Sequence, residues 1–272
     1  MLDGHVLVDA HIHAAAIPTL KPAWRQWAQD FGDAAELDLV YRADGYLDPA
    51  GFSAMLDSHG VDHAFLLCEY SPKATGIQPI QDLMPLAEHD PDRVHLLANL
   101  NPHLHFPVAE ELQRQLDLGA VGLKLHPVHG GFAVNDRALY PAYELCRTAG
   151  RPVVVHCGTS SFPGSTNAMA DPVLLDDVLR DFPGLDVVLA HGGRGLVVRR
   201  GGVPRPVATR TCGSSCPGCR RPGCRTTIPG RTSGGCRDGS SSAPTGRGSR
   251  ALPATPVRWR RCVPTRRQST SC

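Results

Sequence analysis

Short apolar runs recur along the first two thirds of the chain and alternate with segments of helical periodicity. Strand-length runs occur at 5–13 (HVLVDAHIH), 61–70 (VDHAFLLCEY), 94–102 (VHLLANLNP), 120–127 (AVGLKLHP), 151–158 (RPVVVHCG) and 185–193 (LDVVLAHGG). Such runs, separated by helices, are the pattern of βαβ units and predict a parallel sheet. Between them, DPAGFSAMLDSHG opens with Asp48 as helix cap and Pro49 at the first helical position, and closes on Gly60. DPVLLDDVLRDFPG repeats that logic with Asp171, Pro172 and Gly184, while Gly119 and Gly150 end two more helices just before strands.

This alternation suits a doubly wound open sheet as well as a (β/α)₈ barrel. A dinucleotide-binding sheet would carry a glycine-rich turn after its first strand. His11-Ile12-His13 stands there instead, and polar residues gather at strand C-terminal ends, where barrel enzymes keep their chemistry. The expectation is an α/β chain with an incomplete TIM (β/α)₈ barrel, six strands of eight, over residues 1–195.

Charge divides the chain at the same place. Residues 1–195 hold 12 Lys and Arg against 25 Asp and Glu, whereas residues 196–272 hold 16 Arg, no Lys and the single acid Asp238. The net charge of +2 averages two unlike halves. All 13 His precede residue 195, and seven of the ten Cys follow it. No apolar run approaches the roughly 20 residues that span a bilayer, and the first residues lack the pattern of a secretory leader. These features predict a cytoplasmic protein with no membrane partner. Cys68, Cys146 and Cys157 sit inside apolar patterns, as reduced core thiols do.

Residues two apart on a strand share a face, so His11 and His13 both aim into a barrel mouth. His156 ends VVVHCG and His191 ends VVLAHGG, at positions where a buried, unpaired imidazole would be costly. Four His at the tops of three strands point to a metal site. His5, His59, His63, His89, His95, His103 and His105 fall at strand starts, helix ends or a turn and read as structural or solvated, although His103 and His105 follow the third strand and could line the mouth.

The motifs DAHIH, GLKLHP, VVVHCG and LAHGGRG, in this order and spacing, resemble the amidohydrolase superfamily, in particular the branch that includes aminocarboxymuconate-semialdehyde decarboxylase and several hydrolases and hydratases. The resemblance covers residues 3–195. It implies that His11, His13 and His156 bind one divalent ion, Zn²⁺ or Mn²⁺, and that His191 faces the metal-bound water or the substrate as the catalytic histidine. Lys124 matches a fourth-strand position that some members carboxylate to bridge two metals; with a single ion it becomes a substrate or structural contact. His126 and His129 follow the same strand and are placed to touch substrate. Arg194 suits a substrate carboxylate.

A metal in such a site activates water, and a base must take the proton. In the family that base is an Asp ending the eighth strand, commonly within Gly-Ser-Asp-Trp. Here Asp238 lies in CRDGSSS with no apolar strand before it. The implied activity is hydrolysis of a C–N, C–O or C–C bond in a small carboxylate or aromatic substrate, or else nonoxidative decarboxylation on the same His set. The chain as it stands is expected to be impaired, and an intact ancestor could form a homo-oligomer.

From residue 196 the periodicity stops, and Gly, Pro, Ser, Thr, Arg and Cys dominate. Such a segment buries too little apolar surface to offset its chain entropy, which predicts disorder. An Arg-rich nucleic-acid-binding tail and a zinc knuckle from Cys212, Cys216, Cys219 and Cys224 are the alternatives; the Cys spacing is irregular and no His helps. Out-of-frame translation explains more. Read in a shifted frame, Gly239 to Arg247 can encode Val-Leu-Phe-Gly-Ser-Asp-Trp-Pro, the missing eighth-strand motif. Frame changes near residues 196 and 206 are then implied.

Overall fold

A computed structural model describes residues 6–31 and 34–194 of the chain. Six parallel strands form one curled sheet, a half-barrel, in the order β1 (Val8–Ile12), β2 (His63–Leu67), β5 (Val94–Asn99), β6 (Ala120–Leu125), β7 (Val153–Gly158) and β8 (Val187–Arg194). These are the six runs expected from the sequence. Every neighbouring pair is parallel, with registers such as Leu67 opposite Leu97 and His156 opposite Ala190. Among the described residues β1 pairs only with β2, and β8 only with β7.

The run at 61–70 divides. Its last residues form β3 (Glu69–Ser71), which leaves the barrel sheet and pairs antiparallel with β4 (Gly76–Gln78). Gly76 has φ +136°, and a Cβ there would collide with the carbonyl oxygen of Thr19, so only glycine allows this hairpin to dock on the segment after β1.

Helices α3 (Pro49–Ser58), α4 (Ile80–His89), α5 (Val108–Asp117), α7 (Tyr140–Thr148) and α8 (Leu175–Asp181) lie between the strands; a short turn, α6 (Pro127–Gly130), follows β6. The Asp48 carboxylate accepts a hydrogen bond from the Gly51 N–H at 2.7 Å, as the cap pattern predicts. Asp171 likewise accepts from Val173, but it caps a single 3₁₀ turn that precedes α8. Two helices absent from the sequence reading, α1 (Pro22–Phe31) and α2 (Ala34–Val40), follow β1.

Strand alternation sorts the core into two layers. Leu66, Leu96, Val153, Val155, Val187 and Leu189 face the helices, where they join Phe52, Leu83, Leu112 and Tyr143. Phe65, Leu67, Leu97, Val154, Val188 and Ala190 face the inside of the barrel curve. Each fully buried apolar side chain contributes roughly 1.5–3 kcal/mol, so the two layers hold the sheet's curl. Cys68, Cys146 and Cys157 are free, buried thiols in the outer layer, and burial pushes Cys146 and Cys157 up to about 12.

The inward register sets the site. Two residues beyond Leu67 comes Glu69, beyond Leu97 comes Asn99, and beyond Val154 comes His156. All three are buried at the C-terminal ends of the strands. The expected disorder and frame changes after residue 195 lie outside the described residues.

Candidate metal centre and cavity

Six imidazoles gather at this end of the half-barrel. The Nε2 atoms of His11 and His13 are 3.2 Å apart. The His191 ring centroid lies 5.0 Å from His11 and 4.7 Å from His156, so His191 bridges β1 and β7. His156 stands 4.9 Å from His129, and His126 stands 5.6 Å from His13. His191 has φ +64°, a left-handed backbone unusual outside glycine and the kind of strain that collects at functional sites.

Glu69 completes the group and was missed in the sequence, where it reads as the tail of an apolar run. Its carboxylate is 1% exposed; Oε1 accepts a hydrogen bond from the Thr75 hydroxyl at 2.9 Å, and Oε2 lies 3.1 Å from His126 Nε2. Burial alone would raise this carboxyl, but the imidazoles of His129 and then His13, with the Ser71 hydroxyl, hold it below the usual carboxylate range. Among the described residues, the ligand atoms of His13, Glu69 and His126 all lie within 4.8 Å of one another.

These groups also fit a cation by what they lack. His11 Nδ1, His13 Nδ1, Glu69 Oε2, Lys124 Nζ, His126 Nε2 and His129 Nδ1 are buried without a hydrogen-bond partner. The 3.1 Å approach of Glu69 to His126 does not meet hydrogen-bond geometry. Buried polar atoms are rarely left so, and the imidazole and carboxylate donors gathered at His13, Glu69 and His126 suit a bound ion.

Burial pushes His11, His126 and His156 well below the ordinary imidazole value, reinforced by Lys124 and the neighbouring imidazoles. Burial also takes His13 down to about 4, against an opposing pull from Glu69. Neutral imidazoles are the form that binds metal. Lys124 is wholly buried, and burial lowers it to about 7.

Each residue singled out in the sequence can now be placed. His11, His13, His156 and His191 line one cavity, together with His129, Trp24, Trp27 and Phe162. His156 sends Nε2 to the carbonyl of Gly158 at 3.1 Å, which leaves Nδ1 for any ligand. Lys124 and His126 sit behind the cavity wall, and the Asn99 side-chain amide lies between the Lys124 carbonyl (2.8 Å) and His126 Nδ1 (3.0 Å). The Arg194 backbone pairs with Gly158 at the end of β8, and its side chain lies outside the described part. His103 and His105 contact Gly131 and Asn101 and do not line the cavity. The aromatic wall of Trp24, Trp27 and Phe162, with ring centroids 6.1–6.2 Å apart, also escaped the sequence reading, because α1 carries no motif.

A curled parallel sheet with its imidazoles and a carboxylate at the strand C-terminal ends defines an enzyme of the barrel class with a candidate metal centre. The amidohydrolase family profile matches residues 8–218, and the chain belongs to that family. No curated protein matches it. Among solved structures, an uncharacterized TIM-barrel protein from Bordetella bronchiseptica is similar at 23% identity and TM-score 0.55, over 70% of this chain and 68% of that one. A 2,6-dihydroxybenzoate decarboxylase complexed with 2,6-dihydroxybenzoate matches at 20% identity and TM-score 0.46, over 77% and 76% of the two chains. A 5-carboxyvanillate decarboxylase from Novosphingobium aromaticivorans with bound manganese matches at 17% identity and TM-score 0.44, over 70% and 67%. Among the described residues no helix is long and apolar enough to cross a membrane.

Proposed function

We propose that the chain is a metal-dependent hydrolase by descent, acting on a small carboxylate or aromatic substrate at the cavity between β1, β7 and α1. The observation that supports it most is the convergence of His13, Glu69 and His126, whose buried donor atoms lack partners. These three would hold one divalent ion, Zn²⁺ or Mn²⁺, with His11 beside them; His156 enters the set only through Nδ1. A bound ion would supply Lewis acidity, polarising a substrate oxygen and making water a stronger acid.

The chain's own residues do the rest. Trp24, Trp27 and Phe162 offer flat apolar faces to a ring and exclude water from one side. His191, on the rim between His11 and His156, is placed to take or return a proton at its imidazole. Arg194, at the end of β8, is a cationic group for a substrate carboxylate, whereas Lys124 is 0% exposed and stands outside the cavity lining. The sequence after residue 195 holds no apolar run ending in Asp, so the reading includes slow turnover by the chain as it stands. Losing a general base costs about 10²–10⁴ in rate.

Metal content by plasma mass spectrometry tests the centre directly. The full chain should retain about one ion, and Glu69→Gln and His13→Ala should each lose it. Retention of the ion by both variants would refute the assignment. A panel of lactones, amides and aromatic carboxylates, followed for acid release and for CO₂, separates hydrolysis from decarboxylation.

A further inference from the structure

The mouth of the cavity holds a second arrangement of groups, which shares only Glu69 with the metal reading. His129 Nε2 lies 3.1 Å from the Ser160 hydroxyl, and His129 Nδ1 faces Glu69 Oε1 at 3.6 Å. Exposure falls along this line: Ser160 is partly open, His129 is 6% exposed and Glu69 is 1% exposed. Ser160 and His129 both line the cavity. We infer that Ser160, His129 and Glu69 form a nucleophile, base and orienting acid, which give this protein a metal-independent esterase activity toward small esters with an apolar or aromatic acyl group.

One hydrogen-bond arrangement around Ser160 suits a nucleophile. The Phe162 N–H donates to Ser160 Oγ at 3.3 Å and the Ser165 hydroxyl stands 3.1 Å from it; with the Ser165 rotor turned away, Oγ keeps one acceptor site for an acyl carbon. Its one proton is then directed to the remaining neighbour, His129 Nε2. That makes Nε2 the acceptor and places the imidazole proton on Nδ1, pointing at the buried carboxylate. The same tautomer is required of the base in serine hydrolases. The 3.6 Å gap to Glu69 is longer than a hydrogen bond, and such contacts commonly tighten only when substrate is bound. Glu69 can serve both sites, because Oε1 faces His129 while Oε2 faces His126.

A purely structural role for the hydroxyl is the competing explanation, and it is weak here. The Asn167 side chain already anchors the Ser160 backbone from both sides, accepting from its N–H at 2.8 Å and donating to its carbonyl at 3.0 Å. The loop backbone therefore has an anchor besides the contacts that Oγ makes within it. Trp24, Trp27 and Phe162 stand across the same cavity as a wall for the acyl group, and Thr159 and Ser161 line it beside the nucleophile.

The reaction balances without an ion. Ser160 Oγ forms a bond to the acyl carbon while its proton passes to His129 Nε2. The C–O bond to the leaving alkoxide breaks, and that oxygen takes the proton from His129 to leave as an alcohol. Water then attacks the acyl-serine through the same base, the carboxylic acid departs, and the proton returns to Ser160 Oγ.

The test uses the full chain treated with chelator, an alkyl fluorophosphonate, and 4-nitrophenyl acetate. Peptide mapping should find one phosphonyl adduct, on Ser160, and 4-nitrophenol release should persist without metal. Ser160→Ala should lose both, and His129→Gln should slow labelling by about 10³-fold or more. If Ser160→Ala fails to fold, Ser160→Cys keeps the side-chain volume and should exchange phosphonylation for alkylation of residue 160 by iodoacetamide, faster than at the other cysteines. An absent or scattered adduct, unchanged labelling in Ser160→Ala, or ester cleavage that vanishes with chelator and returns with Zn²⁺ would each overturn the inference. Loss of the metal assignment above would leave these outcomes untouched, so the two readings fail separately.

Discussion

Lys124→Met should make this protein more stable, and the gain should depend on pH. The Lys124 ammonium is 0% exposed, its Nζ has no hydrogen-bond partner, and burial lowers it from its ordinary 10.5 to about 7. Unfolded, the lysine binds its proton up to its ordinary value; folded, it gives the proton up near neutrality. The unfolded state therefore binds more protons between about pH 7 and 10.5, and stability rises with pH across that window. Each unit is roughly 1.4 kcal/mol, so below pH 7 the buried lysine costs at most about 5 kcal/mol. Methionine is unbranched and fills the same channel, which removes the charge without opening a cavity.

Urea unfolding of both proteins in chelator, followed by circular dichroism, measures this difference. At pH 7 the variant should be more stable by about 2–4 kcal/mol, and by pH 9 the gap should shrink by roughly 2 kcal/mol. A less stable variant, or a gap that does not move with pH, would refute the reasoning.

Other outcomes follow from single contacts. Asn99→Leu should cost about 2–4 kcal/mol, because it strips partners from the buried Lys124 carbonyl and His126 ring, and its melting temperature should fall accordingly. Asp48→Ala removes the α3 cap and should cost about 1 kcal/mol in the same assay. Gly76→Ala should destabilise the β3–β4 hairpin and loosen Glu69 with it; an unchanged Tm would mean that the segment after β1 yields easily. Resequencing the DNA across codons 194–207 and expressing a frame-restored version should raise turnover by about 10²-fold or more; equal rates from both versions would refute the impairment argued from the tail.

The sequence by itself determined the six strands, because each strand carries its own apolar run, and the Asp48-Pro49 cap, because a cap is made by neighbours in the chain. It also marked His11, His13, His156 and His191, each sitting at the end of such a run. Glu69 was out of reach. It follows VDHAFLLC with no local signal, and its role depends on β3 leaving the sheet and on Thr75 and His129 meeting it from elsewhere in the chain. The same holds for the wall formed by α1 and Phe162 and for the pairing of His129 with Ser160, 31 residues apart. Periodicity reports which face a residue takes within one element. Which faces meet is set by the curl of the sheet and the packing of both core layers, and these sum contacts from the whole chain that no short stretch of sequence contains.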